Sequence, residues 1–257
     1  MPVPTLLITG ASRGLGAAAA RQAAALGAHV ILNARSADAL TAVANAITAA
    51  GGRATAVPGD VSLEADCRRL VETAVAATGR LDALVNNAGT IDPIQAIANT
   101  DPDAWLHSWQ VNVLGPMRLT QLALPHLRAS RGRVLHVSSG AAVNAVPGWA
   151  AYCTAKAALN HFSRVLAAEE PDVTSISFRP GVVDTTMQAE IRRKGAAGMP
   201  TNDHAYFVSL HHEGKLLPPD EPGRALAFLA LHAPRSWSGE FVQWDDHRVQ
   251  QLVMVNG

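Results

Sequence analysis

Short apolar runs alternate with longer alanine-rich stretches along almost the whole 257-residue chain, and that alternation admits few architectures. Residues 3–9, 29–33, 54–58, 81–86, 133–138, 173–179 and 241–244 read as strands. Between them, residues 15–26, 37–50, 63–78, 101–129, 150–170 and 221–231 carry helical patterns. Gly51-Gly52 and Gly79 stop two of these helices, and Pro102 stands at a natural first-turn position. Pro116 and Pro125 are expected to bend or end parts of the 101–129 helix. Repeated strand-then-helix units bury a parallel sheet on both faces. The expected fold is therefore α/β: one domain over residues 1–257, a doubly wound parallel sheet of about seven strands with helices on both faces.

Composition narrows the function classes. The chain is 48% hydrophobic and 16% charged, which suits a globular enzyme with a sizeable core. Its net charge of +0 makes no electrostatic case for nucleic acid or an anionic membrane. Cys67 and Cys153 form no disulfide framework and have no metal-ligand spacing. The opening MPVPTLLITG lacks a basic segment followed by a long apolar stretch, so no secretory leader is expected and the cytoplasm is the default location.

Residues 187–219 break the rhythm. Gly195, Gly198, Pro200, Pro218 and Pro219 punctuate a stretch that also holds His204, Tyr206, Phe207, His211 and His212. A long insertion of this kind after a strand end reads as a substrate-binding lid. The histidines read as lid or surface residues, and no metal site is expected.

TGASRGLG, from Thr9 to Gly16, joins the first strand to the first helix. Gly10, Gly14 and Gly16 allow a tight turn and a close approach of backbone to a pyrophosphate at the helix N-terminus. The spacing is GxxxGxG rather than GxGxxG. The second strand ends Asn33-Ala34-Arg35-Ser36, with no carboxylate where an NAD site would hold a ribose hydroxyl. Arg35, with Arg13 in the loop as a second clamp, suits the extra phosphate of NADP(H); both can also be read as solvated surface arginines. Asp60, after the third strand, is placed to accept from the adenine amino group, or else to cap the next helix, which Ser62 would serve better.

Tyr152 and Lys156 lie four residues apart in YCTAK and share a helix face, with Ser139 upstream. A phenol titrates near pH 10, and a fixed ammonium beside it is expected to pull it toward neutrality. Such a phenol can protonate a carbonyl oxygen or take a proton from an alcohol. Strand alternation sends Ser138 and Ser139 to opposite sides, and Ser139 is the one assigned to the site.

Taken in order, these residues resemble the short-chain dehydrogenase/reductase family over nearly the whole chain. TGASRGLG resembles its glycine loop, Asn86-Asn87-Ala88-Gly89 its NNAG motif, and the run from Arg179 to Thr185 its PG motif. The resemblance implies a Rossmann-type fold and a catalytic tetrad of Asn112, Ser139, Tyr152 and Lys156. Tyr152 would be the general acid, Lys156 would hold the nicotinamide ribose, Ser139 would polarise the carbonyl, and Asn112 would support a relay water. It also implies cofactor contacts at Ser12, Leu15, Val61, Asn86, Ala88, Gly89, Pro180, Gly181, Val183, Thr185 and Met187. A homodimer or homotetramer would pair through helices 101–129 and 150–170.

From Gly148 onward, GWAAYCTAKAALN and PGVVDTTMQ look like the sepiapterin reductase branch and similar benzil and carbonyl reductases. Gln243 stands where sepiapterin reductases carry a pterin-anchoring aspartate. Trp149 is either a wall of the substrate site or core packing, and Tyr206 and Phe207 are assigned to close over a bulky ketone. The expected activity is NADPH-dependent reduction of a ketone or 1,2-diketone. Pterin side-chain reduction and an NADP-binding sensor without turnover are the alternatives.

Overall fold

The first strand pairs on both edges, which explains its uninterrupted burial. In the computed structural model, which describes residues 3–256, β1 (Thr5–Thr9) lies between β2 (His29–Ala34) and β4 (Ala83–Asn86). Residues 1, 2 and 257 of the expected domain lie outside the described residues. With β3 (Arg53–Pro58), β5 (Arg133–Val137), β6 (Thr174–Arg179) and β7 (Phe241–Gln243), the order is β3-β2-β1-β4-β5-β6-β7, and every pairing is parallel. Strand order reverses direction at β1/β4, and the carboxyl ends at such a point open a binding crevice.

Two cores flank the sheet. On one face pack α1 (Gly14–Ala25), α2 (Ala37–Ala49), α9 (Asp220–His232) and α10 (His247–Asn256), over Leu6, Ile8, Val30, Leu32, Leu135 and Phe178. The alanines of α1 let α9 come close: a Cβ at Gly223 would lie 2.7 Å from the Ala18 Cβ. On the other face α3 (Glu64–Thr78), α5 (Gly115–Ser130) and α6 (Ala150–Glu169) cover Leu7, Ile31, Leu84 and Val134.

Helix 101–129 is not one regular element. α4 (Pro102–Trp109) passes through a π-helical turn, Gln110–Leu114, into α5. The Gly115 N–H donates to the Gln110 carbonyl, and Pro116 follows in the first turn of α5 with no N–H to continue the ladder. Pro125 lies inside α5 without ending it.

The 187–219 stretch is also more regular than its composition implies. It holds most of α7 (Thr186–Gly198) and all of α8 (Thr201–His212). Gly198 lets this pair dock tightly, because a Cβ there would sit 1.9 Å from the Ile94 carbonyl oxygen. Trp149 and Met199 extend the contact through an indole N–H to thioether bond of 3.3 Å.

Candidate active site

A cavity of about 530 Å³ runs along the carboxyl ends of the central strands. Its floor at one end is the glycine loop. Gly10 and Gly14 take positive φ values of 64° and 54°, which favour glycine. Asn87 binds the loop from the next strand, donating from Nδ2 to the Thr9 carbonyl at 2.8 Å and to the Gly10 carbonyl at 3.1 Å. The Asn87 and Ala88 amides donate to the Thr9 hydroxyl, each at 3.0 Å. Leu15 and Gly16 start α1 beneath the loop, so the helix N-terminus faces the cavity.

The adenosine end of such a cleft would fall between β2 and β3. Arg13 and Arg35 are exposed and line the same cavity, with Ser12, Asn33, Asp60 and Val61 nearby. Asn33 is buried and ties β2 to β3 by donating to the Val57 and Gly59 carbonyls, each at 3.1 Å. Asp60 Oδ1 accepts from the Ser62 amide at 2.8 Å and the Ser62 hydroxyl at 2.7 Å. Ser62 therefore does not cap α3; Leu63 occupies that position without a side-chain cap. Glycine backbone and a helix N-terminus in one groove fit the pyrophosphate of a nicotinamide dinucleotide.

The other end holds Ser139, Trp149, Tyr152 and Lys156. Tyr152 and Lys156 face the cavity from one side of α6, and the Lys156 Nζ stands 5.5 Å from the Tyr152 ring centroid. Lys156 is buried and donates to the Val137 carbonyl at 2.7 Å. Burial lowers its pKa to about 8. Tyr152 behaves opposite to the sequence expectation: burial pushes its phenol up to about 12, against the lowering pull of a hydrogen bond with Ser139. Desolvation outweighs that bond, and the Lys156 ammonium is engaged with the strand carbonyl rather than with the phenol.

Ser139 opens the turn after β5 and accepts from the Ala141 amide at 3.1 Å. Ser138 is turned into the protein and its hydroxyl is buried. Asn112 sits in the π-turn, fully buried. Its amide spans Thr90, donating to the carbonyl at 2.8 Å and accepting from the amide at 3.2 Å. A Cβ at Gly89 would lie 2.9 Å from Asn112 Oδ1 and 3.7 Å from Lys156 Nζ, so Asn112 and Lys156 converge on that glycine. Pro180, Gly181, Val183 and Thr185 line the cavity from the loop between β6 and α7, and Met187 from the first turn of α7, with Ala88 and Gly89 opposite.

Five expected site residues fall elsewhere or behind. Asn112 supports the cavity without lining it. Asn86 is buried beneath, its Nδ2 3.4 Å from the Thr120 hydroxyl and 3.3 Å from His136 Nδ1. Phe207 stacks on the far side of Trp149 at 4.8 Å, and Tyr206 is exposed at its edge. Both sit on α8, which buttresses Trp149 rather than the cavity. Gln243 donates to Asp245 at 2.6 Å, away from the cavity. Trp149 combines both of its readings: it is a cavity wall and packs in a core with Ile91, Ile94, Ile191 and Met199.

The substrate side is completed by Ile91, Asp92, Gln188 and Ile191, which sequence reasoning missed. Their signal was position alone, since they trail the NNAG and PG motifs. Cys153 points to a separate shallow surface with Asn144 and Ala157. Among the described residues, no group of three or more His, Cys, Asp or Glu is arranged to hold a metal, and no helix is long and apolar enough to cross a membrane.

Comparisons with known proteins agree with this geometry. The short chain dehydrogenase family model matches residues 4–196. An uncharacterized oxidoreductase of Schizosaccharomyces pombe is 39% identical, covering 93% of this chain and 95% of its own. A benzil reductase of Bacillus cereus, described as (S)-benzoin forming, is 33% identical, covering 94% and 99%. The crystal structure of a short chain dehydrogenase/reductase from Saccharomyces cerevisiae superposes with a TM-score of 0.92 at 34% identity, covering 97% and 99%. The chain belongs to the short-chain dehydrogenase/reductase family and is an oxidoreductase of that family.

Proposed function

We propose that the protein is an NADPH-dependent carbonyl reductase whose substrate is a bulky, apolar ketone or 1,2-diketone. The observation that carries this reading is the buried Tyr152 beside Ser139 at one end of a cavity whose other end holds Arg13 and Arg35. NADPH, when bound, supplies the hydride. Tyr152, with its pKa pushed up to about 12, is fully protonated at neutral pH, as an acid for reduction must be. Ser139 donates a second hydrogen bond to the same carbonyl oxygen. Lys156 keeps a positive charge near the phenol below about pH 8 and favours proton release in the transition state. Arg35 and Arg13 hold the 2′-phosphate, and the amides at the start of α1 hold the pyrophosphate.

Trp149, Ile91, Ile191 and Met187 give the substrate end an apolar wall. The relatives described as benzil reductases support the diketone class. Gln243, engaged with Asp245, leaves the pterin reading without an anchor.

The test is NADPH oxidation, followed by absorbance, with benzil, an aromatic α-keto ester and sepiapterin, each repeated with NADH. Turnover of benzil or the keto ester that prefers NADPH is the expected result. Preferential turnover of sepiapterin would replace this reading with the pterin one. Tight NADPH binding without turnover of any of them would favour a sensing role.

A further inference from the structure

One wall of the substrate end carries a buried amide that the protein leaves unanchored. Gln188 lies in the first turn of α7, directly after Met187, and lines the cavity. It is only 8% exposed, and its Oε1 is buried with no hydrogen-bond partner among the described residues. The residues on either side of it behave as an apolar wall requires: Met187 and Ile191 pack with Trp149 and Tyr152 in one cluster. An apolar side chain of similar volume would suit that wall. A buried polar group without a partner lowers stability, so the amide is retained at a cost that packing does not explain.

Other groups around the same space are already committed. Tyr152 and Ser139 serve the oxygen that is reduced. The Trp149 indole N–H is bonded to the Met199 sulfur at 3.3 Å. Asp92 is a carboxylate held by Lys194 at 2.6 Å, and it offers acceptors alone. Ile91, Ile191 and Met187 have no side-chain donor. A carboxamide carries two N–H donors, and its last torsion is broad, so it turns its nitrogen toward a ligand at small cost.

We propose that Gln188 is a specificity-determining residue that donates from Nε2 to a second oxygen beside the reacting carbonyl, and so selects 1,2-dicarbonyl compounds over simple ketones. This role rests on the carbonyl-reductase reading and narrows its substrate class. A simple ketone of the same size leaves the amide buried and unpaired, whereas a dicarbonyl engages it. A site that hydrogen-bonds a substrate oxygen penalises the analogue that lacks it. The two carbonyl carbons of a dicarbonyl are bonded to each other, so holding one oxygen also orients the other carbonyl toward Tyr152 and Ser139. No bond forms or breaks at Gln188, and the hydride and proton transfers are those of the reduction itself.

Benzil and deoxybenzoin test this role, because they share both phenyl rings and differ by one carbonyl oxygen. Each is assayed with NADPH against the wild type, Gln188→Met and Gln188→Leu, and the ratio of the two kcat/KM values is read. Comparing variants cancels the greater intrinsic reactivity of benzil. Gln188→Met keeps the length of the side chain without its amide, and is expected to lower the benzil-to-deoxybenzoin ratio roughly tenfold, with the loss on the benzil side. The thermal midpoint of the unliganded variant is expected to hold or rise, since a buried unpaired amide is gone. Gln188→Leu is read the same way if the methionine variant does not fold. An unchanged ratio overturns the proposal, and so does an equal fall with both ketones, which would make Gln188 a packing residue. If neither ketone is turned over, the carbonyl-reductase reading fails on its own. Calorimetric binding of the same pair to the NADP+-loaded protein then decides the role of Gln188: benzil weakened more than deoxybenzoin in Gln188→Met supports it, and equal effects overturn it.

Discussion

The Lys156 ammonium is bonded to the main-chain carbonyl of Val137 at 2.7 Å rather than to the phenol of Tyr152, over whose ring it lies at 5.5 Å. The lysine is thus fixed by the end of β5, where Ser139 also originates. Burial pushes the Tyr152 phenol up to about 12, and Lys156, lowered by burial to about 8, is the group that titrates closer to neutrality.

Tyr152→Phe removes the acid while keeping the ring against Trp149 and Lys156. Loss of a positioned general acid is expected to lower kcat by roughly 10²–10⁴-fold. NADPH affinity, measured by fluorescence titration, should change little. Turnover near the wild-type rate would remove Tyr152 from its role.

Arg35→Asp places a carboxylate where a 2′-phosphate would sit. A charged hydrogen bond of about 1.5–3 kcal/mol corresponds to roughly 10–100-fold in affinity, so NADPH should weaken by at least that factor while NADH holds or gains. Equal preference before and after the change would place the phosphate elsewhere.

The pH profile of kcat/KM for NADPH reports groups in the free enzyme. Below about pH 8 Lys156 carries its charge, and above it the charge is lost, so the reductive profile should fall as pH rises through about 8. In Lys156→Met that limb should vanish at a uniformly lower rate. A wild-type profile flat from pH 7 to 9.5 would contradict the assignment.

His136 links stability to acid. Burial and the Lys156 charge lower its pKa from 6.5 to about 3. Between those values the unfolded chain binds a proton that the native protein refuses, so stability falls as pH drops below about 6.5. From pH 6.5 to 5 the loss approaches about 2 kcal/mol for this one group. His136→Asn should show a shallower decline in urea unfolding over that range, and an identical slope would count against it.

Gly198→Ala forces a methyl against the Ile94 carbonyl. Overpacking of this kind costs about 1–3 kcal/mol. Because α7 and the 91–95 loop both wall the substrate end, KM for the carbonyl should rise more than KM for NADPH. A lowered thermal midpoint with an unchanged carbonyl KM would show that the α7 docking carries stability alone.

The strands, their parallel pairing and most helix bounds were legible because each is a local property: apolar runs of strand length, alanine-rich helical spacing, and glycine at the breaks. The glycine loop and the Tyr152–Lys156 spacing were legible for the same reason. Tyr206, Phe207 and Gln243 were misplaced because their assignment depended on where separate segments come to rest. Aromatic residues in an insertion look alike whether they face a cavity or, like Phe207, support Trp149 from behind.

By itself, the order of residues determined the layered α/β framework and the set of groups available for chemistry, since periodicity and turn residues act within a few positions of the chain. Only the tertiary structure decided the electrostatic state of those groups. Desolvation depends on everything packed around a side chain, and it raised the phenol of Tyr152 where the neighbouring charge alone would lower it. The same packing buried Asn86 beneath the cavity against Thr120 of α5, because the sheet admits side chains on two faces and the helices determine which residues each face covers.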